Sequence, residues 1–323
     1  MDLFLSTLQQ MVFLFALIII GYAVTKLGAV PKTAAGILSK LENNIFIPAL
    51  VMGTFIKNFT VSTFQTAWKL LLFSLVIAII VLPISIFICR RCSKDKYIQN
   101  IYTYGLVFAN FGFMGNAVVS ALFPQYFTEY LIFTLVLWSL IYLWGVPSLL
   151  IPNESGEKRT VKQSLKSFVN PMFVAMLIGM VLGIVLSLLD WSLPKPIMDV
   201  ITVSGDCMSP IAMLITGITI AGIDLGSTLK KGSIYVVTLF RLIIYPLAAI
   251  GIFWVLKLLI DIPESYVICA ICSLAMPLGL NTIVIPSAYG KDTSTAAGMA
   301  LVSHLLSVLS IPLIFYIFNS LLI

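Results

Sequence analysis

Charge is what this chain has least of. Only 10% of its 323 residues are Asp, Glu, Lys or Arg, while 60% are hydrophobic and the mean hydropathy is +1.09. Soluble globular chains carry about 25% charged and about 45–50% apolar residues, so a soluble globular fold is excluded. Histidine is equally scarce: His304 stands alone. With few acids inside the apolar segments, this argues against the paired His/Glu or Ser/Lys constellation an intramembrane enzyme would need. No Gly-rich loop ending in Lys-Ser/Thr occurs, which argues against an ATP-driven pump. The five cysteines, Cys89, Cys92, Cys207, Cys269 and Cys272, lack the spacing of a secreted disulfide domain. Cys89-Arg-Arg-Cys92 and Cys269-x-x-Cys272 each resemble half of a zinc site, but no second ligand pair accompanies them, so they read as small packing residues. Neither a cofactor nor a metal is expected.

What the chain does have is long apolar stretches. At about 20 residues per bilayer crossing, ten segments are expected, near 8–27, 34–56, 66–89, 98–123, 129–150, 167–189, 197–223, 233–260, 264–289 and 295–321. Because the sequence starts Met1-Asp2 and has no Lys or Arg before Lys26, its first segment reads as a permanent span and not as a signal peptide. The loops after segments 1, 3, 5, 7 and 9 carry fourteen of the 19 Lys and Arg residues, Arg90, Arg91, Lys94, Lys158 and Lys230 among them. The positive-inside rule puts those loops in the cytoplasm and both termini outside it, in a multi-pass protein of the cell membrane. The net charge of +6 then reflects topology and contact with anionic lipids; it is too dispersed for a nucleic-acid surface.

The one markedly polar stretch, Pro152 to Lys166, falls near the midpoint and reads as a cytoplasmic linker (151–166) between a first five-span repeat (1–150) and a second (167–323). Five is odd, so two similar halves would lie in opposite orientations, the inverted repeat of many secondary transporters. Pro31 and Pro48 in the first half are echoed by Pro194, Pro196 and Pro210 in the second. Asn110-Phe-Gly-Phe-Met-Gly-Asn116 in the fourth span is echoed by Pro277-Leu-Gly-Leu-Asn281 in the ninth.

These last two stretches carry the chemistry. Glycine and proline let both spans unwind near the midplane, and irregular backbone at membrane depth is tolerated only where it is buried in protein or lines a wet cavity. Each second half-helix then starts with unpaired N–H groups and a positive dipole end, which attract anions. Two such ends supply about 1–4 kcal/mol, while millimolar binding already needs about 4 kcal/mol. Asparagine hydrogen bonds to a carboxylate, at about 1.5–3 kcal/mol each, close that gap, so Asn110, Asn116 and Asn281 are expected to act with the dipoles.

These residues resemble those of the auxin efflux carrier family, which includes bacterial malate permease-like carriers. The resemblance covers nearly the whole chain and rests on Asn44-Ile-Phe-Ile-Pro-Ala-Leu50, Asn110 to Asn116, Arg241-Leu-Ile-Ile-Tyr-Pro246, Met276 to Asn281 with Ala288-Tyr-Gly-Lys-Asp292, and Ser303 to Pro312. It implies an all-α fold similar to bile-acid symporters and sodium/proton antiporters, with ten helices in two inverted repeats. Helices 1, 2, 6 and 7 would form a scaffold, helices 3–5 and 8–10 a moving transport domain, and broken helices 4 and 9 would cross. A homodimer is implied as well. Carried onto this sequence, the substrate region is Asn110, Gly112, Gly115, Asn116, Pro277, Gly279 and Asn281. Ala117 stands where many relatives have proline, so helix 4 is expected to break through its glycines and Asn116.

Four ionisable residues lie within or near the expected spans: Glu42, Asp206, Arg241 and His304. Each is a candidate for ion coupling or charge pairing, because a charge at bilayer depth costs about 2.5–3.5 kcal/mol by insertion scales. Asp206 is the best placed for proton or sodium coupling; Glu42 reads equally as an interfacial carboxylate. Arg241 either snorkels to lipid phosphate or pairs with a substrate carboxylate, and His304 either shuttles protons or is a satisfied helical residue. Tyr102, Tyr104, Trp138, Tyr142 and Trp144 are too dispersed along the sequence to predict an aromatic cage. The reading that results is a secondary transporter of small organic anions working by alternating access, with a passive channel as the alternative.

Overall fold

The computed structural model describes residues 2–151, 170–222, 224, 226, 229–288 and 291–322; the linker expected at 151–166, beyond Ile151, and Tyr289-Gly290 of the Ala288–Asp292 motif lie outside them. Among the described residues the fold is all-helical, with no strand beyond one isolated bridge. Seven helices are long and apolar enough to cross a membrane. They are α1 (Asp2–Lys26), α3 (Val61–Cys92), α5 (Pro124–Leu150), α6 (Pro171–Leu189), α7 (Lys195–Ala221), α8 (Gly232–Lys257) and α10 (Ser294–Leu322). Between α1 and α3, Ala34–Leu41, Glu42–Phe46 and Ile47–Asn58 follow one another without a gap as α2. The remaining two expected segments are each split. The two halves of α4 are Lys96–Val107 and Phe111–Leu122, and those of α9 are Glu264–Ala275 and Asn281–Ala288.

Helix α1 packs along α7 and α10, and α2 packs along α6 and α7; α3 lies on α4 and α5, and α8 lies on α9 and α10. Small residues set the closest of these approaches. Gly179 and Gly183, one turn apart on α6, lie against the α2 main chain: a Cβ on Gly179 would sit 2.8 Å from the Met52 carbonyl oxygen, and one on Gly183 would overlap that of Phe55. This small-xxx-small spacing brings backbones together where lipid provides no hydrophobic drive between helices. The other face of α6 leaves Leu177 and Val181 58% and 61% exposed, an apolar exterior suited to acyl chains.

Four π-helical turns interrupt these helices, at Glu42–Phe46, Phe111–Gly115, Ile141–Leu150 and Phe240–Ile244. Three are explained by proline: Pro48 and Pro246 follow the first and last, and Pro147 lies inside the third. Proline has no N–H to give and its ring crowds the carbonyl four residues back, so the preceding turn widens. The second holds Gly112 and Gly115 in place of proline.

Candidate functional site

The two gaps, one in α4 and one in α9, run past each other in opposite directions at the centre of the fold. Ala109 pairs with Leu278 as an isolated antiparallel bridge, and the Asn110 amide donates to the Pro277 carbonyl at 2.8 Å. In α9 the gap follows from sequence, since a residue preceding proline is pushed out of the α region and Met276 is extended (φ −67°, ψ 149°). In α4 the chain leaves the helix at Phe108, turns at Asn110 and re-enters at Phe111. The expectation that α4 unwinds through its glycines and Asn116 is therefore corrected: the break comes before them. The glycines serve close packing instead. A Cβ on Gly112 would strike the Trp138 indole, and one on Gly115 would occupy the space of the Tyr130 hydroxyl, which donates to the Phe111 carbonyl at 3.1 Å. Gly279 is as constrained, because a Cβ there would overlap the Phe108 carbonyl oxygen.

Arg241 holds the crossing from the side. Its guanidinium is 1% exposed and donates from Nε to Met276 O at 3.0 Å, from Nη1 to Leu106 O at 3.0 Å, and from Nη2 to Ser273 O. These are carbonyls at the C-terminal ends of both first half-helices, where orphan acceptors and negative dipole ends meet. Burial rules out snorkelling to lipid, and all three guanidinium nitrogens are spent on main chain.

A small cavity opens beside the crossing, with room for about one water molecule. Asn110, Gly112, Gly279 and Asn281 line it together with Phe111, Tyr104 and Trp138. Asn281 donates from Nδ2 to the Tyr104 hydroxyl at 3.2 Å. The second half of α4 begins with no capping side chain, so its opening amides face this region as free donors. Gly115 and Asn116 lie one turn further along α4 and do not line the cavity, nor does Pro277, whose carbonyl is bonded to the Asn110 amide. Asn110 is 1% exposed and its Nδ2 lies 2.9 Å from His304 Nε2; His304 Nδ1 lies 2.8 Å from the Ala300 carbonyl.

Glu42 lies in its π turn at a second small cavity, against Phe113 and Leu280 of the crossing and Ala212 and Ile215 of α7. It is 1% exposed and neither carboxyl oxygen has a hydrogen-bond partner, so the interfacial reading of Glu42 does not hold. Asp206 is exposed on α7 and takes no part in either cavity. Sequence reasoning weighed Tyr104 and Trp138 only as dispersed aromatics, met Ser303 only within the Ser303–Pro312 resemblance, and did not single out Tyr130. The first two line the cavity despite being 34 residues apart, and Ser303 Oγ accepts from the Leu278 amide at 3.3 Å. Only Ser303, within the Ser303-His304 pair, lay beside a residue already singled out.

Helices of this length around a buried, polar crossing of two broken segments define a membrane transport protein, and the family profile described as "Membrane transport protein" matches residues 6–315. The chain belongs to that family, the auxin efflux carrier family. No curated protein matches the chain.

Proposed function

We propose that this protein is a secondary carrier of small organic anions, mono- or dicarboxylates of the malate kind, working by alternating access at the α4/α9 crossing. The observation that carries this reading is the cavity shared by Asn110, Gly112, Gly279, Asn281 and Tyr104, where two interrupted helices present amide donors while the nearby Arg241 guanidinium is spent on main-chain carbonyls. Helix ends and carboxamides together reach the several kcal/mol that a carboxylate site requires. In this reading Gly115, Asn116 and Pro277 shape the site from behind. Glu42, poised between α2, α7 and the crossing, replaces the exposed Asp206 as the acidic coupling group.

The same reading takes the ten helical segments as two inverted repeats, 1–150 and 167–323, spanning the plasma membrane with both termini outside. Packing of α1 and α2 on α6 and α7 supports a scaffold of those four helices, with α3–α5 and α8–α10 as the moving unit. A homodimer would form through the scaffold. Uptake into proteoliposomes tests the proposal: a panel of carboxylates should give saturable uptake that is accelerated by the same acid inside. Flux that rises without saturation would favour a channel.

A further inference from the structure

Hydrogen-bond polarity fixes how His304 and Asn110 meet. The Ala300 carbonyl can only accept, so His304 Nδ1 carries a hydrogen and donates to it. In the neutral ring Nε2 is then an acceptor, and the Asn110 Nδ2–H2 group donates to it at 2.9 Å. Asn110 Oδ1 is left buried, without a hydrogen-bond partner, as the polar atom this residue brings to the cavity it lines.

A proton on Nε2 reverses that polarity. An Nε2–H cannot face Nδ2–H2, because both are donors. The carboxamide must turn by half a rotation about its terminal bond, which gives Oδ1 a donor and moves Nδ2–H2 into the cavity. Heavy-atom positions are unchanged by the turn. The charged ring, however, then lies beside a site that has gained two N–H donors, and a buried cation without a counter-charge is costly. A carboxylate that enters as the cavity widens beyond its present one-water size supplies both the acceptor and the charge.

We infer that His304 is a positioning residue whose protonation turns the Asn110 carboxamide and so couples uptake of one proton to binding of one carboxylate at the crossing. This rests on the carrier reading above. Glu42, the other coupling group at the crossing, lines a separate cavity and makes no hydrogen bond to Asn110 or His304, so it does not set the polarity of that pair. Of the groups that neighbouring helices bring to the crossing, Arg241 is held by three carbonyls and Tyr104 by Asn281. Others that pack on α10 are tied off elsewhere: Tyr102 to Ser233, Tyr97 to Asp292, Tyr245 to Ser85, Tyr235 to Leu229, Lys231 to Thr295 and Lys257 to Leu322. Lys26 lies over Tyr22, and Lys96 is exposed.

The test compares L-malate counterflow in proteoliposomes between about pH 6.5 and pH 8.5, where malate stays fully ionised, for the wild type and His304→Gln. Obligatory linkage weakens the wild-type apparent affinity by up to tenfold for each unit of rising pH; His304→Gln, which keeps a hydrogen bond but cannot titrate, should show a flat profile. Equal slopes in the two proteins would overturn the inference. Because His304 is the only histidine, its labelled imidazole nitrogens can also be read by NMR without any substrate. Acidification that charges the ring should move the Asn110 side-chain amide signals with it. If the ring charges while those signals stay fixed, the inference fails even if malate is carried; if malate is not carried while they move together, it is the carrier reading that fails.

Discussion

The main-chain amide of Asn110 donates to the carbonyl of Pro277 at 2.8 Å, tying together two residues 167 positions apart in sequence at the point where both their helices are interrupted. Around this bond the neighbouring bridge of Ala109 with Leu278 satisfies backbone groups that hydrocarbon would leave unmet at several kcal/mol each.

Gly279 tests that crossing. Its Cβ position is taken by the Phe108 carbonyl oxygen, main chain that cannot move aside as a flexible side chain would. Gly279→Val should therefore destabilise the protein by about 1–3 kcal/mol or more and abolish uptake. The measurement is thermal unfolding in detergent beside proteoliposome uptake; wild-type behaviour in both would contradict the geometry.

Arg241 gives a second prediction. Its planar fork serves three carbonyls on two helices, whereas a lysine ammonium is a single point donor. Arg241→Lys keeps the charge yet should lose part of this capping, at about 1.5–3 kcal/mol for each charged hydrogen bond lost. A midpoint lowered by several degrees in a thermal melt is expected, and an unchanged one would show the fork to be dispensable.

Much of this was legible in advance, for identifiable reasons. The apolar segments and the gap in α9 announce themselves through hydropathy and through Pro277, each acting locally. The gap in α4 was misplaced by a few residues because Gly112 and Gly115 looked like hinges, when their role is to admit Trp138 and Tyr130. That role depends on what α5 brings across, which no local pattern records. Likewise Arg241 and Glu42 are plain in the sequence as ionisable residues, but only the packing shows one fully bonded and the other unpartnered.

Tyr104 positions Asn281 through a 3.2 Å hydrogen bond from the carboxamide. Tyr104→Phe removes that acceptor and keeps the ring. A neutral hydrogen bond contributes about 0.5–1.5 kcal/mol, so the half-saturating carboxylate concentration should rise by about two- to thirteenfold with little change in maximal rate. Kinetics of uptake decide this, and an unaltered concentration dependence would remove Asn281 orientation from the account.

The proposed orientation rests on the distribution of basic residues. In a background without native cysteines, Lys94→Cys, between α3 and α4, should react with a membrane-impermeant maleimide only from the cytoplasm. Lys195→Cys, at the start of α7, should react only from outside. The reverse labelling pattern would invert the assigned orientation.

The central claim is that a carboxylate binds between Asn110 and Asn281 and is carried across. Its most direct test is saturable counterflow of a carboxylate in proteoliposomes containing wild type, Asn110→Ala or Asn281→Ala, with correct folding verified by thermal melts. The account predicts exchange in the wild type and its loss in both variants. Wild-type exchange rates in both folded variants would contradict it.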